Sequence, residues 1–198
     1  MVAKPETFRV TVDVETDFGG RINTIQGLEE GLPIILETLR AYKIRGLFFV
    51  STELLKHYAG FIRNIKDHGH EIGSHGHFHW VFKSHERQSQ NLDISRQLLT
   101  AYGIKVGQME YRMPKFSYPN AGTYATRNNH YGLLRSMWGF DRYHPNWIMY
   151  LHPFDLVKPK TKAPNLFSKL WYSRPEDAKQ LFTKLIGVIH ESMLHKRS

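Results

Sequence analysis

The chain has 198 residues, enough for one domain with a real core, and its 41% hydrophobic and 23% charged residues are those of an ordinary globular protein. It has no cysteine, which excludes disulfides, thiolate metal sites, iron–sulfur clusters and a cysteine nucleophile; with 12 histidines, any transition metal would be held by imidazole and carboxylate. Lys and Arg outnumber Asp and Glu by 27 to 18, a formal charge of +9, scattered without a dense basic block, so the surplus reads either as a solvated surface or as attraction to an anionic partner. No signal-peptide pattern and no run of ~18–20 apolar residues occurs, and the expectation is a soluble, cytoplasmic protein.

In chain order, Phe8, Val10, Val12 and Val14 alternate with Arg9, Thr11, Asp13 and Glu15. This period of two predicts a strand with its carboxylates on one side, ended by Gly19 and Gly20. Residues 28–42 carry Leu32, Ile35, Leu36 and Leu39 at helical spacing, and Gly46 leads into the apolar run 47–50, a buried parallel strand. Residues 58–68 are predicted helical and closed by Gly69, and 71–73 form a third strand. A long polar helix is predicted over 84–102, with Leu92, Ile94, Leu98 and Leu99 inward and Gly103 as its stop. A strand over 108–111, loops over 115–146 with a short helix near 131–138, and a strand over 147–151 follow. Ser173, Pro175 and Glu176 form a capping-box pattern opening a last helix to about Leu194, with Ala178, Leu181, Phe182, Leu185 and Ile189 inward. Such βα alternation implies an α/β fold, a parallel sheet covered by helices; periodicity leaves open whether the sheet closes into a barrel.

Functional groups of such folds gather at the C-terminal ends of strands. Four polar clusters stand at the predicted ends: residues 13–17, 74–79, 112–114 and 152–155. His75 and His79 share a face if the segment is a helical turn, whereas an extended segment aligns His75, His77 and His79. Two imidazoles and one carboxylate make a three-ligand site with an open position. Asp13 and Glu15 are costly to bury unless they bind something or pair with Arg or Lys. Asp17 falls in the following turn, as a cap or a ligand. Arg112 suits the role of holding a buried Asp ionised. His152 is either a general acid or a core histidine, and His68 and His70 are expected on the surface.

Taken together, these clusters resemble the motifs of the NodB-homology polysaccharide deacetylases, carbohydrate esterases that act on N-acyl sugars. Val-Asp-Val-Glu (12–15) is similar to the family's first motif, residues 69–79 with their His-x-x-x-His to the second, residues 111–118 to the third, and residues 149–153 to the fifth. The strand 48–51 also looks familial, and the resemblance spans residues 8–155. It implies a single domain over 1–198 with a distorted, incomplete (β/α) barrel. It further implies a divalent metal, zinc or similar, held by Glu15, His75 and His79. Asp13 would be the base, kept ionised by Arg112, and His152 the acid. A backbone N–H near Lys115 would face the oxyanion, and Phe116, Tyr118 and Trp147 would stack on sugar, with core packing the alternative for Trp147.

The sequence also departs from the family pattern. Many members have adjacent aspartates where this chain has Asp13-x-Glu15; Glu adds a methylene, which leaves Asp17 as the alternative third ligand. The fourth motif has no clear counterpart beyond Asp141. Residues 13–51 look most like the deformylases of undecaprenyl-phosphate aminoarabinose. The expected activity is metal-dependent removal of an N-acetyl or N-formyl group from a polysaccharide or lipid-linked glycan. The alternative is an inactive carbohydrate-binding protein on the same fold. No specific nucleic-acid binding is expected. The aromatic-basic segment 166–172 would suit either packing across a barrel end or contact with a membrane surface, the latter giving a cytoplasmic protein peripheral at the membrane.

Overall fold

The valine alternation of the first strand sets the architecture. In the computed structural model, which describes residues 9–17, 20, 22, 24–79, 84–106, 148–158, 160 and 178–195, this strand is β1 (Arg9–Val14). It is flanked by β2 (Leu47–Val50) and β4 (Ile148–Leu151), with β3 (Glu71–Ser74) beyond β2, so the order is β3-β2-β1-β4. All three pairings are parallel, in a register that sets Val12 beside Phe48 and Leu151, and Asp13 beside Phe49. The sheet is small and open among the described residues, the distorted, incomplete barrel that the sequence leads one to expect.

Val10, Val12 and Val14 are fully buried in one apolar cluster with Leu32, Ile35 and Leu39 of α1 (Leu32–Ala41). Thr11 and Asp13, on the opposite face of the strand, are buried as well. A central strand covered on both sides has this pattern, and here the second face carries chemistry in place of hydrocarbon. One turn of π-helix (Gly27–Gly31) leads into α1, where the 28–42 pattern had predicted a continuous helix. α2 (Leu55–Asp67) buries Leu55, Ile62 and Ile65 and starts three residues before the predicted Tyr58. The last described helix, α4 (Ala178–His195), buries Ala178, Phe182, Leu185 and Ile189 as predicted, with Ile186 added to the stripe. Among the described residues no helix is long and apolar enough to cross a membrane.

Two expectations are corrected. In α3 (His85–Ala101), Ile94 is 44% exposed and the buried face is Asn91, Ser95 and Leu99, while Leu92 and Leu98 are only half-buried. Polar residues win the inward positions because each finds a hydrogen-bond partner there, described below. His70 is buried, although a surface position was expected: its Nδ1 accepts from the Gly46 N–H at 3.2 Å, and its ring lies 4.9 Å from that of Phe48. His68 is exposed, as expected. The predicted strand 108–111, the loops 115–146, the segment 166–172, the capping box at Ser173 and the side chain of Leu181 lie outside the described residues.

Candidate active site

Because the strands are parallel, their C-terminal ends share one edge of the sheet. Glu15, Ser51, His75 and His152 are each the first residue after a strand, of β1, β2, β3 and β4 respectively. The ladder runs one rung further, with Ser51 N–H donating to the Val14 carbonyl (3.0 Å) and His75 N–H to that of Val50 (2.9 Å). Glu15 and His75 thus leave the sheet in register, and the backbone of each is held where its side chain begins.

The turn after β1 is organised by Asp17. Its Oδ2 accepts from the Thr24 hydroxyl (2.6 Å) and the Gln26 N–H (2.8 Å), and its Oδ1 from the Gly27 N–H (3.0 Å). Those bonds meet the first N–H groups of the π-turn, which is the role of a cap, and the group that could hold a metal contains Glu15 and not Asp17. The same turn packs hard against the residues that follow β4: a Cβ at Gly31 would stand 1.9 Å from the Pro153 carbonyl oxygen. Only glycine permits that approach, which ties the His152 segment to the start of α1.

Residues 75–79 are neither the helical turn nor the extended segment that the sequence left open. Gly76 has φ +90°, and the bend it makes turns the chain back on itself. His75 and His79 then stack, ring centroids 4.8 Å apart, while His77 points elsewhere, its Nδ1 3.2 Å from the Thr52 hydroxyl. His75 Nε2 lies 3.4 Å from both Asp13 Oδ2 and Glu15 Oε2, and His79 Nε2 lies 3.0 Å from Glu15 Oε2. His152 completes the group, its Nε2 3.6 Å from Glu15 Oε1. Asp13, Glu15, His75 and His152 are buried, and His79 is half-buried at the opening.

Crowded into one buried space, Glu15, His75, His79 and His152 all have shifted pKa values. Burial pushes the Glu15 carboxyl up, but the contact with His75 and the charges of His152, His79 and His75 outweigh it and leave it lowered. Burial pulls His75 down, yet the Asp13 charge and the Glu15 contact raise it to about 9. His79, for which burial prevails over the Glu15 charge, is lowered. Burial also pulls His152 down, and the Asp155 contact and charge, with those of Glu15 and Asp13, reverse this and raise it. Two buried carboxylates therefore draw positive charge into the group.

His152 is oriented by its own next turn. Its N–H donates to Asp155 Oδ2 (2.8 Å), and the same oxygen lies 3.3 Å from Nδ1, which turns Nε2 towards Glu15. Asp155 has no exposed surface. The sequence placed it in the right cluster but assigned it no role; the His-x-x-Asp spacing is the signal that was available. Asn91 and Ser95 were missed outright, because a polar residue on a polar helix has no pattern of its own.

The residues present fit a divalent transition-metal ion. Glu15, His75 and His79 each offer an atom within 4.8 Å of the other two, and Glu15 Oε2 is buried without a hydrogen bond of proper geometry among the described residues. Separations of 3.0 and 3.4 Å approach the ~3.3 Å edge of a tetrahedron with the ~2.0–2.1 Å arms of zinc–nitrogen and zinc–oxygen bonds. Mixed imidazole and carboxylate donors suit ions of borderline softness. Arg112, Lys115, Phe116, Tyr118, Asp141 and Trp147 lie outside the described residues.

The model of the family described as polysaccharide deacetylase matches residues 19–133, more than half of the chain. The chain belongs to the polysaccharide deacetylase family. No curated protein is a significant match to it. Among solved structures, it is similar to BA3943, a family 4 carbohydrate esterase pseudoenzyme from Bacillus anthracis, at 17% identity and TM-score 0.59, covering 95% of this chain and 62% of that one. A mutant of that pseudoenzyme with restored enzymatic activity is matched at the same identity and TM-score, over 64% of its length. The chain thus spans less than two thirds of those proteins. It is also similar to the Bc1960 peptidoglycan N-acetylglucosamine deacetylase, at 14% identity and TM-score 0.56, covering 98% of this chain and 84% of that one. A Mycobacterium smegmatis protein assigned to the polysaccharide deacetylases has 15% identity and TM-score 0.60, with 98% and 93% covered. At these identities the likeness is one of fold, shared by active enzymes and a pseudoenzyme alike.

Proposed function

We propose that this polysaccharide deacetylase family member is a metal-dependent hydrolase that removes an N-acetyl or N-formyl group from a sugar, using one domain over residues 1–198. The observation that supports this reading is the convergence of Glu15, His75 and His79 on one point, beside a second acid, Asp13, and a third imidazole, His152. In it Glu15, His75 and His79 hold the ion. A divalent ion bound there supplies Lewis acidity, polarising an acyl carbonyl and lowering the pKa of bound water.

The chain's own groups then move the protons. Asp13 Oδ2 takes a proton from the attacking water as its oxygen bonds to the amide carbon. His152, held by Asp155 with Nε2 facing the site, gives its proton to the nitrogen as the C–N bond breaks, so that an amine leaves in place of an amide anion. The products are a free amino sugar and acetate or formate. Arg112 is assigned as the group that keeps Asp13 ionised.

The finer substrate assignment rests on the resemblance of residues 13–51 to lipid-linked aminosugar deformylases, and is an aminosugar carried on a lipid phosphate, met by a cytoplasmic protein at the membrane surface. Zinc- or cobalt-loaded protein is to be offered N-acetylated and N-formylated glycans and lipid-linked aminosugars, with released acetate and formate measured. No release from any of them overturns the enzyme reading; release from glycans only, with no sedimentation on anionic liposomes, overturns the lipid-linked one.

A second reading is glycan binding without turnover. Two observations favour it: the chain has Glu15 where many members have aspartate, and it shares its fold with a pseudoenzyme. Glycan binding that survives His152→Ala, with no acyl release, is its signature.

A further inference from the structure

α3 is a surface helix with a polar residue where an apolar stripe would place a leucine. Asn91 is 4% exposed and faces the bend that carries His75 and His79. Its Oδ1 accepts from the His77 N–H (3.1 Å) and the Phe78 N–H (2.9 Å), and its Nδ2 donates to the Phe78 carbonyl (3.2 Å). One amide therefore meets three backbone groups between the two histidines, the His77 N–H being shared with the Asn91 main-chain carbonyl (3.1 Å). One helical turn on, Ser95 accepts from the Ser74 hydroxyl (2.6 Å), whose oxygen in turn accepts from the Gly76 N–H (3.0 Å). The contact is also tight: a Cβ at Gly76 would stand 2.4 Å from Asn91 Nδ2.

These contacts have a consequence for the ligands. Glycine, here at φ +90°, leaves a bend more conformational freedom than other residues would, and the bonds to α3 restrict it. Pre-paying that ordering in the folded protein leaves less to be lost when a cation binds. Burying an amide in a helix face is costly unless it is hydrogen-bonded, and here both its oxygen and its nitrogen bond to the loop.

We propose that Asn91 is a positioning residue, which fixes the bend 75–79 so that His75 and His79 stand ready for a divalent cation before any is bound. This rests on the reading of Glu15, His75 and His79 as the ligand set. The latch acts on backbone, so it sets the spacing of the two imidazoles without touching either ring.

The test uses cobalt(II) as the probe, with its visible band as readout, and amide hydrogen exchange on the metal-free protein. Wild-type protein is expected to show slowed exchange at the His77 and Phe78 amides without metal. Asn91→Ala is expected to bind cobalt about 10–100-fold more weakly, the loss that follows when groups orienting ligands are removed. Leu99→Ala, a fully buried apolar position on the same helix, is the control: its unfolding midpoint falls while its cobalt affinity stays that of the wild type. Equal cobalt affinity in Asn91→Ala and wild type overturns the proposal. So does unprotected exchange at the two amides of metal-free wild type, which decides the matter even where Asn91→Ala does not fold. If wild type itself binds no cobalt, the ligand-set reading fails and takes the cation role of Asn91 with it, while protected amides would still mark the latch as a structural one.

Discussion

A single oxygen of Asp155, Oδ2, meets both the backbone N–H and the ring Nδ1 of His152, at 2.8 and 3.3 Å. The carboxylate thereby sets the ring's rotation and stabilises its protonated form, while Nε2 is left facing Glu15. Asp155→Asn keeps the shape and removes the charge. It is expected to lower kcat by about 10–100-fold, a portion of the ~10²–10⁴ that a general acid contributes, and to leave metal affinity unchanged. Steady-state kinetics with a parallel cobalt titration check both halves.

The roles of the two carboxylates after the valines separate in the same assay. Asp13→Asn is expected to abolish turnover, by ~10²–10⁴ or more, and to leave cobalt binding within a few-fold of wild type. Glu15→Gln is expected to lose the metal. The opposite pattern would exchange the base and ligand assignments.

Metal binding is expected to stabilise the fold, since Glu15 and His75 follow β1 and β3, two strands of one sheet with β2 between them, and are brought together only in the native state. At a free ion concentration 100 times Kd, the gain is about 2.7 kcal/mol. A thermal melt with added zinc should move up, and chelator should return it; His79→Ala should show neither shift.

Asp17 tests the boundary of the site. Asp17→Ala strips acceptors from the Thr24 hydroxyl and from two N–H groups at the head of the π-turn. The expected cost is about 2–4 kcal/mol of stability, read by urea unfolding, with cobalt affinity kept. Loss of metal at full stability would restore Asp17 as a ligand.

His70 predicts a pH dependence away from the site. Burial, with the charges of His68 and Arg45, pushes its pKa down from 6.5 to about 4. Between those values the unfolded chain binds a proton that the folded one refuses. Stability is therefore complete above about pH 6.5 and falls as pH drops towards about 4. His70→Asn, whose amide oxygen can accept from the Gly46 N–H, should flatten that slope, by about 1–3 kcal/mol across the window. Urea midpoints against pH for the two proteins decide it.

What the sequence determined by itself was whatever repeats along the chain or stands at its breaks. Val10, Val12 and Val14 specify a strand, Leu32, Ile35, Leu36 and Leu39 the buried stripe of a helix, and parallel strands bring Glu15, His75 and His152 to one edge. Those facts follow from local periodicity and the handedness of βα units, which need no partner to be legible. Tertiary structure alone decided the rest, because a hydrogen bond between distant residues leaves no period. It made Asp17 a cap, turned the histidine segment at Gly76 so that His77 leaves the group, buried His70 on Phe48, and drew Asn91 into a face that periodicity had reserved for Ile94. In each case a polar group went where its partner was, and the cost of burying a polar group unpaired outweighed the pull of hydrophobic pattern.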